Sequence, residues 1–190
     1  FQTTRAFPGR DMPSHPSKSI KKGEQKMDPM IVAGAIACLG LSAAGSAFGT
    51  GFAASAAVGA WKKCYAANKP APFLLLSFVG APITQTLYGM ILMFIMLGKV
   101  EFVANAEGIV TGIKPLVSAG AGLPVLIAGI FAGLGIGLSA LFQGRAGAGA
   151  CDAQAETNQG FTNYLAALGI VETVAIFTMV FALIALGKIA

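Results

Sequence analysis

The chain has 190 residues, of which 55% are hydrophobic and only 11% charged, and its mean hydropathy is +0.73. Soluble domains carry about a quarter charged residues, so a soluble globular protein is excluded and a membrane protein is expected. The formal net charge of +5 looks like a nucleic-acid signal, but it is concentrated at one end of the chain. No nucleic-acid partner is therefore expected.

Residues 1–26, FQTTRAFPGRDMPSHPSKSIKKGEQK, hold Arg5, Arg10, Lys18, Lys21, Lys22 and Lys26 against Asp11 and Glu24. From Met27 onward seven basic residues face six acidic ones. This leader has no apolar centre, so it is not a signal peptide. One reading is a disordered tail. The favoured reading is a leader foreign to the natural protein, because GEQK before Met27 is what a purine-rich bacterial ribosome-binding site encodes when read through in frame. Met27 is then the expected start.

Four apolar runs approach or exceed the roughly 20 residues that a helix needs to cross the hydrocarbon of a bilayer. They are Ile31–Ala60, Phe73–Gly98, Ala121–Phe142 and Phe161–Gly187. Span one and span three are dense in small residues, including Gly45, Gly49 and Gly51 in the first and Gly133, Gly135 and Gly137 in the third. Small residues let helix backbones approach closely in lipid. They are read as helix-packing positions, either inside a four-helix bundle or on an inner wall where many copies meet. The connections are Trp61–Pro72, Lys99–Gly120 and a weakly polar stretch, Gly144–Gly160. Cys38, Cys64 and Cys151 form no CxxC pattern, and the only histidine, His15, lies in the leader. A disulfide framework, a zinc site and histidine catalysis are not expected.

The second half repeats the first. Phe48-Gly-Thr-Gly51 corresponds to Leu134-Gly-Ile-Gly137, Gln85-Thr86 to Glu172-Thr173, and Leu97-Gly98 to Leu186-Gly187. A repeat of this length is an architectural unit. The expected fold is an all-α membrane protein of four transmembrane helices, arranged as two duplicated helical hairpins. The expected organisation is a leader at 1–26, a first hairpin at 27–98, an external connection at 99–120 and a second hairpin at 121–190. Lys62, Lys63 and Lys69 assign the 61–72 loop to the cytoplasm by the positive-inside rule. The 144–160 loop then shares that side and both termini lie outside.

Glu172 is the one acid or base within spans two and four. An ionisable group at a helix centre costs about 2.5–3.5 kcal/mol on insertion scales, which makes it a functional candidate by default. The bland alternative is a protonated glutamic acid hydrogen-bonded inside a bundle. In span two, Ala81, Thr84, Gln85 and Tyr88 follow the i, i+3, i+4, i+7 pattern of one helix face. Pro82 lacks an N–H and disfavours helix at Ala81, so carbonyls there lose partners. In the second hairpin Gln143 and Glu172 are equidistant from a turn centred on Thr157-Asn158. Each is about 22 Å from it at 1.5 Å per residue, so Gln143 is expected to face Glu172. Arg145, two positions on, must snorkel, pair or face a lumen. The set supplies oxygen donors suited to a hard cation: the Glu172 carboxylate, the Gln85 and Gln143 amides, the Thr84 hydroxyl and a carbonyl near Ala81. One carboxylate among neutral oxygens suits a monovalent ion, and Na⁺ is favoured over H⁺.

On these residues the chain resembles the proteolipid rotor subunit of V/A-type ATPases, and most closely the sodium-translocating bacterial branch. The resemblance spans about Met27–Ala190. It rests on the Pro82-Ile-Thr-Gln-Thr-Leu-Tyr88 segment, Gln143-Gly144 and Glu172-Thr173. Thr86 is larger than the glycine that family members can carry there, which bears on local packing. The resemblance implies that Glu172 carries the ion. It implies that Thr84, Gln85, Gln143 and the Ala81 carbonyl are Na⁺ ligands and that Tyr88 hydrogen-bonds Glu172. It further implies a homo-oligomeric ring in the lipid bilayer, a membrane stator subunit, a central-stalk subunit, and no cofactor beyond the transported ion. The chain lacks a GxxxxGK[ST] phosphate loop, so it is expected to be a non-catalytic part of a rotary ATPase. The other readings are a small four-span ion-coupled transporter and a structural proteolipid.

Overall fold

The computed structural model describes residues 29–189. The expectations for residues 1–26 lie outside the described residues. The elements in order are α1 (Met30–Ala66), α2 (Leu75–Gly80), a 3₁₀ turn (Ala81–Ile83), α3 (Thr84–Leu97), β1 (Val100–Ala104), β2 (Val110–Pro115), α4 (Gly122–Thr157) and α5 (Phe161–Gly187). Counting α2, the 3₁₀ turn and α3 as one rod, four helices are long and apolar enough to cross a membrane. The expected four-helix arrangement is observed.

Two boundaries differ from the sequence reading. Span one continues as helix to Ala66, and span three runs on through the stretch read as a connection, reaching Thr157. Small and weakly polar residues do not stop a helix when each backbone group keeps its i→i−4 partner. The stop comes at Asn158, which takes the left-handed conformation at φ 54°, followed by Gly160 at φ 86°. A side chain at Gly160 would meet the Tyr164 ring at 2.8 Å, so both the backbone and the space call for glycine there. The other loop closes with Asn68 at φ 53°, and Trp61 donates its indole N–H to the Pro72 carbonyl at 2.9 Å.

A second departure is the 99–120 connection, which contains a β-hairpin. Val100 pairs with Pro115 and Glu101 with Lys114 in an antiparallel register that slips between Val103 and Ala104. The Asn105 side-chain oxygen accepts the N–H groups of Glu107 and Ile109 at 3.0 and 2.9 Å and shapes the turn. The run VEFVANAEGIVTGIK holds β-branched residues around an Asn…Gly turn, a strand signal overshadowed by its charges, which serve equally as topology markers.

The core is a seam between α1 and α4. A Cβ added at Gly45 would fall on the backbone of Gly137, one at Gly129 on Gly34 and one at Gly144 on Gly49. Gly49 faces Ala140, while a Cβ added at Gly133 would lie 2.8 Å from the Cys38 carbonyl. The two backbones touch without side chains between them, as small residues allow in lipid. Gly135 faces Thr178 of α5 instead, and Gly51 has nothing within 4 Å, so neither belongs to this seam. α3 lies against α1 and α4, while α5 lies against α4 and α3. Two apolar clusters form. One, near the sheet, contains Ile31, Leu92, Met96, Ile136 and Ala175; the other, near the 61–72 loop, contains Leu75, Phe78, Cys151 and Leu168. Cys38, Cys64 and Cys151 are buried free thiols. Only Leu168, Ala175 and Leu186 of α5 are fully buried; Glu172 lies between the first two, at the junction of the clusters.

Candidate functional site

The site is built where α2 gives way to α3. Pro82 cannot donate a backbone N–H and clashes with a regular α turn, and the chain answers with the 3₁₀ turn Ala81–Ile83. The turn tightens the backbone so that the Thr84 N–H bonds the Ala81 carbonyl. The Thr84 hydroxyl oxygen lies 3.0 Å from that same carbonyl. Ala81 is therefore a partnered carbonyl, not the freed group that Pro82 suggested. It retains a second lone-pair direction toward Thr84.

The expected residues converge. Thr84 and Tyr88 each place a hydroxyl 2.7 Å from Oε1 of Glu172. Gln143 places Nε2 3.3 Å from Oε2 of Glu172 and 3.0 Å from the Leu168 carbonyl. Gln85 donates Nε2 to Oε1 of Gln143 at 2.8 Å. Its own Oε1 is left 3.2 Å from the Thr84 hydroxyl. Gln85 and Gln143 are fully buried, whereas Thr84, Tyr88 and Glu172 are half-buried. Among the described residues no three His, Cys, Asp or Glu side chains gather as a metal centre. The single acid thus stands among neutral donors.

The amides are locked in series. Gln85 gives its nitrogen to Gln143, and Gln143 gives its nitrogen to the carboxylate and to Leu168. Gln143 therefore meets Glu172 with N–H groups in this arrangement, while its oxygen is engaged by Gln85. The Thr84 hydroxyl has one proton and three oxygens within 3.2 Å: Ala81 O, Gln85 Oε1 and Glu172 Oε1. Three oxygens thus gather around the Thr84 hydroxyl, two of which also receive the Thr84 N–H and the Tyr88 hydroxyl. Such a cluster is electron-rich and suited to a hard cation.

Ser139 is a neighbour that the sequence reading passed over. Its hydroxyl donates to the Val171 carbonyl at 2.9 Å, immediately beside Glu172. The usable signal was its position four residues before Gln143, on the same face of α4. Arg145 is exposed, its direction from the helix axis about 200° away from that of Gln143. Its side chain therefore leaves the site.

The two loops lie at one end of the molecule. Lys63 forms an ion pair with Asp152 at 2.8 Å, and the Cys64 thiol approaches the Ala155 carbonyl at 3.9 Å. At the other end the Lys99 ammonium donates to the Ile189 carbonyl at 2.7 Å. Each hairpin thus turns on the same side, as a duplicated pair requires.

Residues 128–185, from within α4 to the last turns of α5, match the family model for the ATP synthase C subunit. The matched segment contains Ser139, Gln143 and Glu172. No curated protein matches the chain. With four helices of membrane-spanning length, the match makes the chain a multi-pass membrane protein.

Proposed function

Taking the second hairpin as a unit of the ATP synthase C-subunit family, we propose that the chain is the ion-carrying rotor subunit of a V/A-type rotary ATPase and that its cargo is Na⁺. Subunits of that family are non-catalytic and form homo-oligomeric rings against a membrane stator subunit. A central-stalk subunit takes up the rotation. The loops at 61–72 and 158–160 are cytoplasmic in this reading, and the sheet faces the other side of a bacterial membrane. The family match favours a rotor ring over a four-span transporter or a structural proteolipid.

The observation that carries the choice of ion is the oxygen cluster around Thr84. A proton carrier needs the acid and one or two hydrogen-bond partners. Here Ala81 O, Gln85 Oε1 and Glu172 Oε1 crowd the Thr84 hydroxyl within 3.2 Å, four oxygens in all and more than a proton carrier needs. A bound cation relieves that crowding, and its charge cancels that of Glu172 in a low-dielectric setting where an unpaired charge is costly. Gln143 becomes a fifth oxygen ligand if its amide turns over; otherwise it orients Glu172 by hydrogen bonding. Tyr88 holds the carboxylate from the α3 side.

In the cycle, Glu172 accepts the ion at one stator half-channel, is carried round by the ring, and releases it at the other. The test is carbodiimide labelling of Glu172 in the membrane-embedded ring at neutral pH. Millimolar NaCl should protect the carboxylate. Labelling indifferent to Na⁺ would overturn the sodium assignment and leave a proton ring.

A further inference from the structure

We infer that Ser139 is a positioning residue for ion binding, holding the turn of α5 that carries Glu172 against α4. The inference rests on the reading of Glu172 as the ion carrier.

Thr84 and Tyr88 reach across to Glu172 itself, but several helix hydroxyls away from the carboxylate bond within their own helix. Ser42 donates to Cys38 O at 2.9 Å, Ser55 to Gly51 O at 2.8 Å, Thr157 to Ala153 O at 2.7 Å and Thr178 to Val174 O at 2.8 Å. This back-bonding is the usual resort of a hydroxyl on a helix. Ser139 does otherwise: it crosses to Val171 of α5 at 2.9 Å. It is only 5% exposed, so water does not compete for its proton.

Ser139 also acts alongside a second contact. Gln143, one turn further along α4, donates to Leu168 O at 3.0 Å. Leu168 and Val171 are in turn about one turn apart on α5, and Glu172 follows directly. Two side chains on one face of α4 thus grip two backbone carbonyls in the turn that leads into the ion-carrying residue. α5 needs the grip. Much of its surface is exposed, and its buried residues number three. Gln143 holds both backbone and carboxylate, whereas the Ser139 pin holds backbone alone. The Ser139 pin can persist while Glu172 exchanges its ion, which keeps the carboxylate aimed at Thr84 and Tyr88 when a new ion arrives.

Losing the hydroxyl leaves the Val171 carbonyl with its own helical partner, so α5 still forms. The cost falls on the aim of Glu172. In the intact ring, Ser139→Ala should raise the NaCl concentration that half-protects Glu172 from carbodiimide by about three- to tenfold, the scale of one neutral hydrogen bond. The labelling rate without Na⁺ should be unchanged. Hydrogen exchange of the 168–176 backbone should quicken, and Ser139→Thr, which keeps the hydroxyl, should restore both readings. Half-protection by the same NaCl concentration in Ser139→Ala as in the unaltered ring would overturn the inference. If Ser139→Ala rings do not assemble, Ser139→Thr decides: near-normal half-protection supports the inference, and a shift as large as the alanine change should give overturns it. If Na⁺ does not protect even the unaltered ring, the sodium reading fails separately. Ser139 is then judged by exchange: quicker in Ser139→Ala and restored by threonine, it stands; unchanged, it falls.

Discussion

The two hairpins share one plan but differ at one equivalent position, where the first has Gln85 and the second Glu172. Gln85 is fully buried and spends its nitrogen on Gln143. Glu172 is half-buried and receives hydrogen bonds from Thr84, Tyr88 and Gln143. Duplication left two copies of a site, and they have divided its work. The first hairpin supplies a neutral frame and the second supplies the only charge. Under the proposed function, a four-helix unit built this way carries one ion where two unmodified hairpins would carry two.

The largest expected effect comes from erasing the difference. Glu172→Gln makes the second hairpin chemically like the first; carbodiimide labelling and ion transport should both be lost, and persistence of transport would sink the ion-carrier reading. Next comes the seam that joins the hairpins. Gly144→Ala drives a methyl group into the Gly49 backbone. Overpacking costs about 1–3 kcal/mol where side chains can yield, and here backbone must yield instead. Loss of SDS-resistant rings on gels is expected, while Gly149→Ala, on the same helix with nothing within 4 Å, should leave them intact.

Subtler changes sharpen the division of labour. Hydrogen bonds to charged groups contribute about 1.5–3 kcal/mol, so Tyr88→Phe should raise the half-protecting Na⁺ concentration about tenfold or more. Gln85→Glu restores a carboxylate to the first hairpin but removes the donor that Gln143 Oε1 accepts. It should weaken Na⁺ protection by a comparable factor, measured the same way. The smallest effect belongs to Lys63→Ala. Its ion pair with Asp152 joins the hairpins at the exposed loop end, where such pairs contribute little. No change in ring yield or Na⁺ protection is expected.

Much of this was legible because helices have fixed geometry. Counting outward from Thr157-Asn158 placed Gln143 opposite Glu172, and the two meet at 3.3 Å. The face shared by Thr84, Gln85 and Tyr88 likewise followed from periodicity. What could not be read depends on partners across space. Small residues announced close packing, but not that Gly45 would meet Gly137 while Gly51 met nothing. The amide of Gln143 could be read as an oxygen donor, yet its nitrogen faces the acid because Gln85 already claims the oxygen. Ser139 looked like one more small residue of span three, since nothing local says which carbonyl a hydroxyl will choose. The 99–120 hairpin was hidden by its charges.

The α1–α4 seam has a mechanical consequence. Where backbone rests on backbone there are no rotamers to flex, so the joint has little compliance in twist. α5, by contrast, is a lightly clamped vane on the outside of that stiff strut. In the proposed rotor, torque collected at Glu172 would pass through the pins at Leu168 and Val171 into α4 and thence into a pair of closely packed rods. In that reading, elastic storage belongs to the joints around the subunit, not to its own spine.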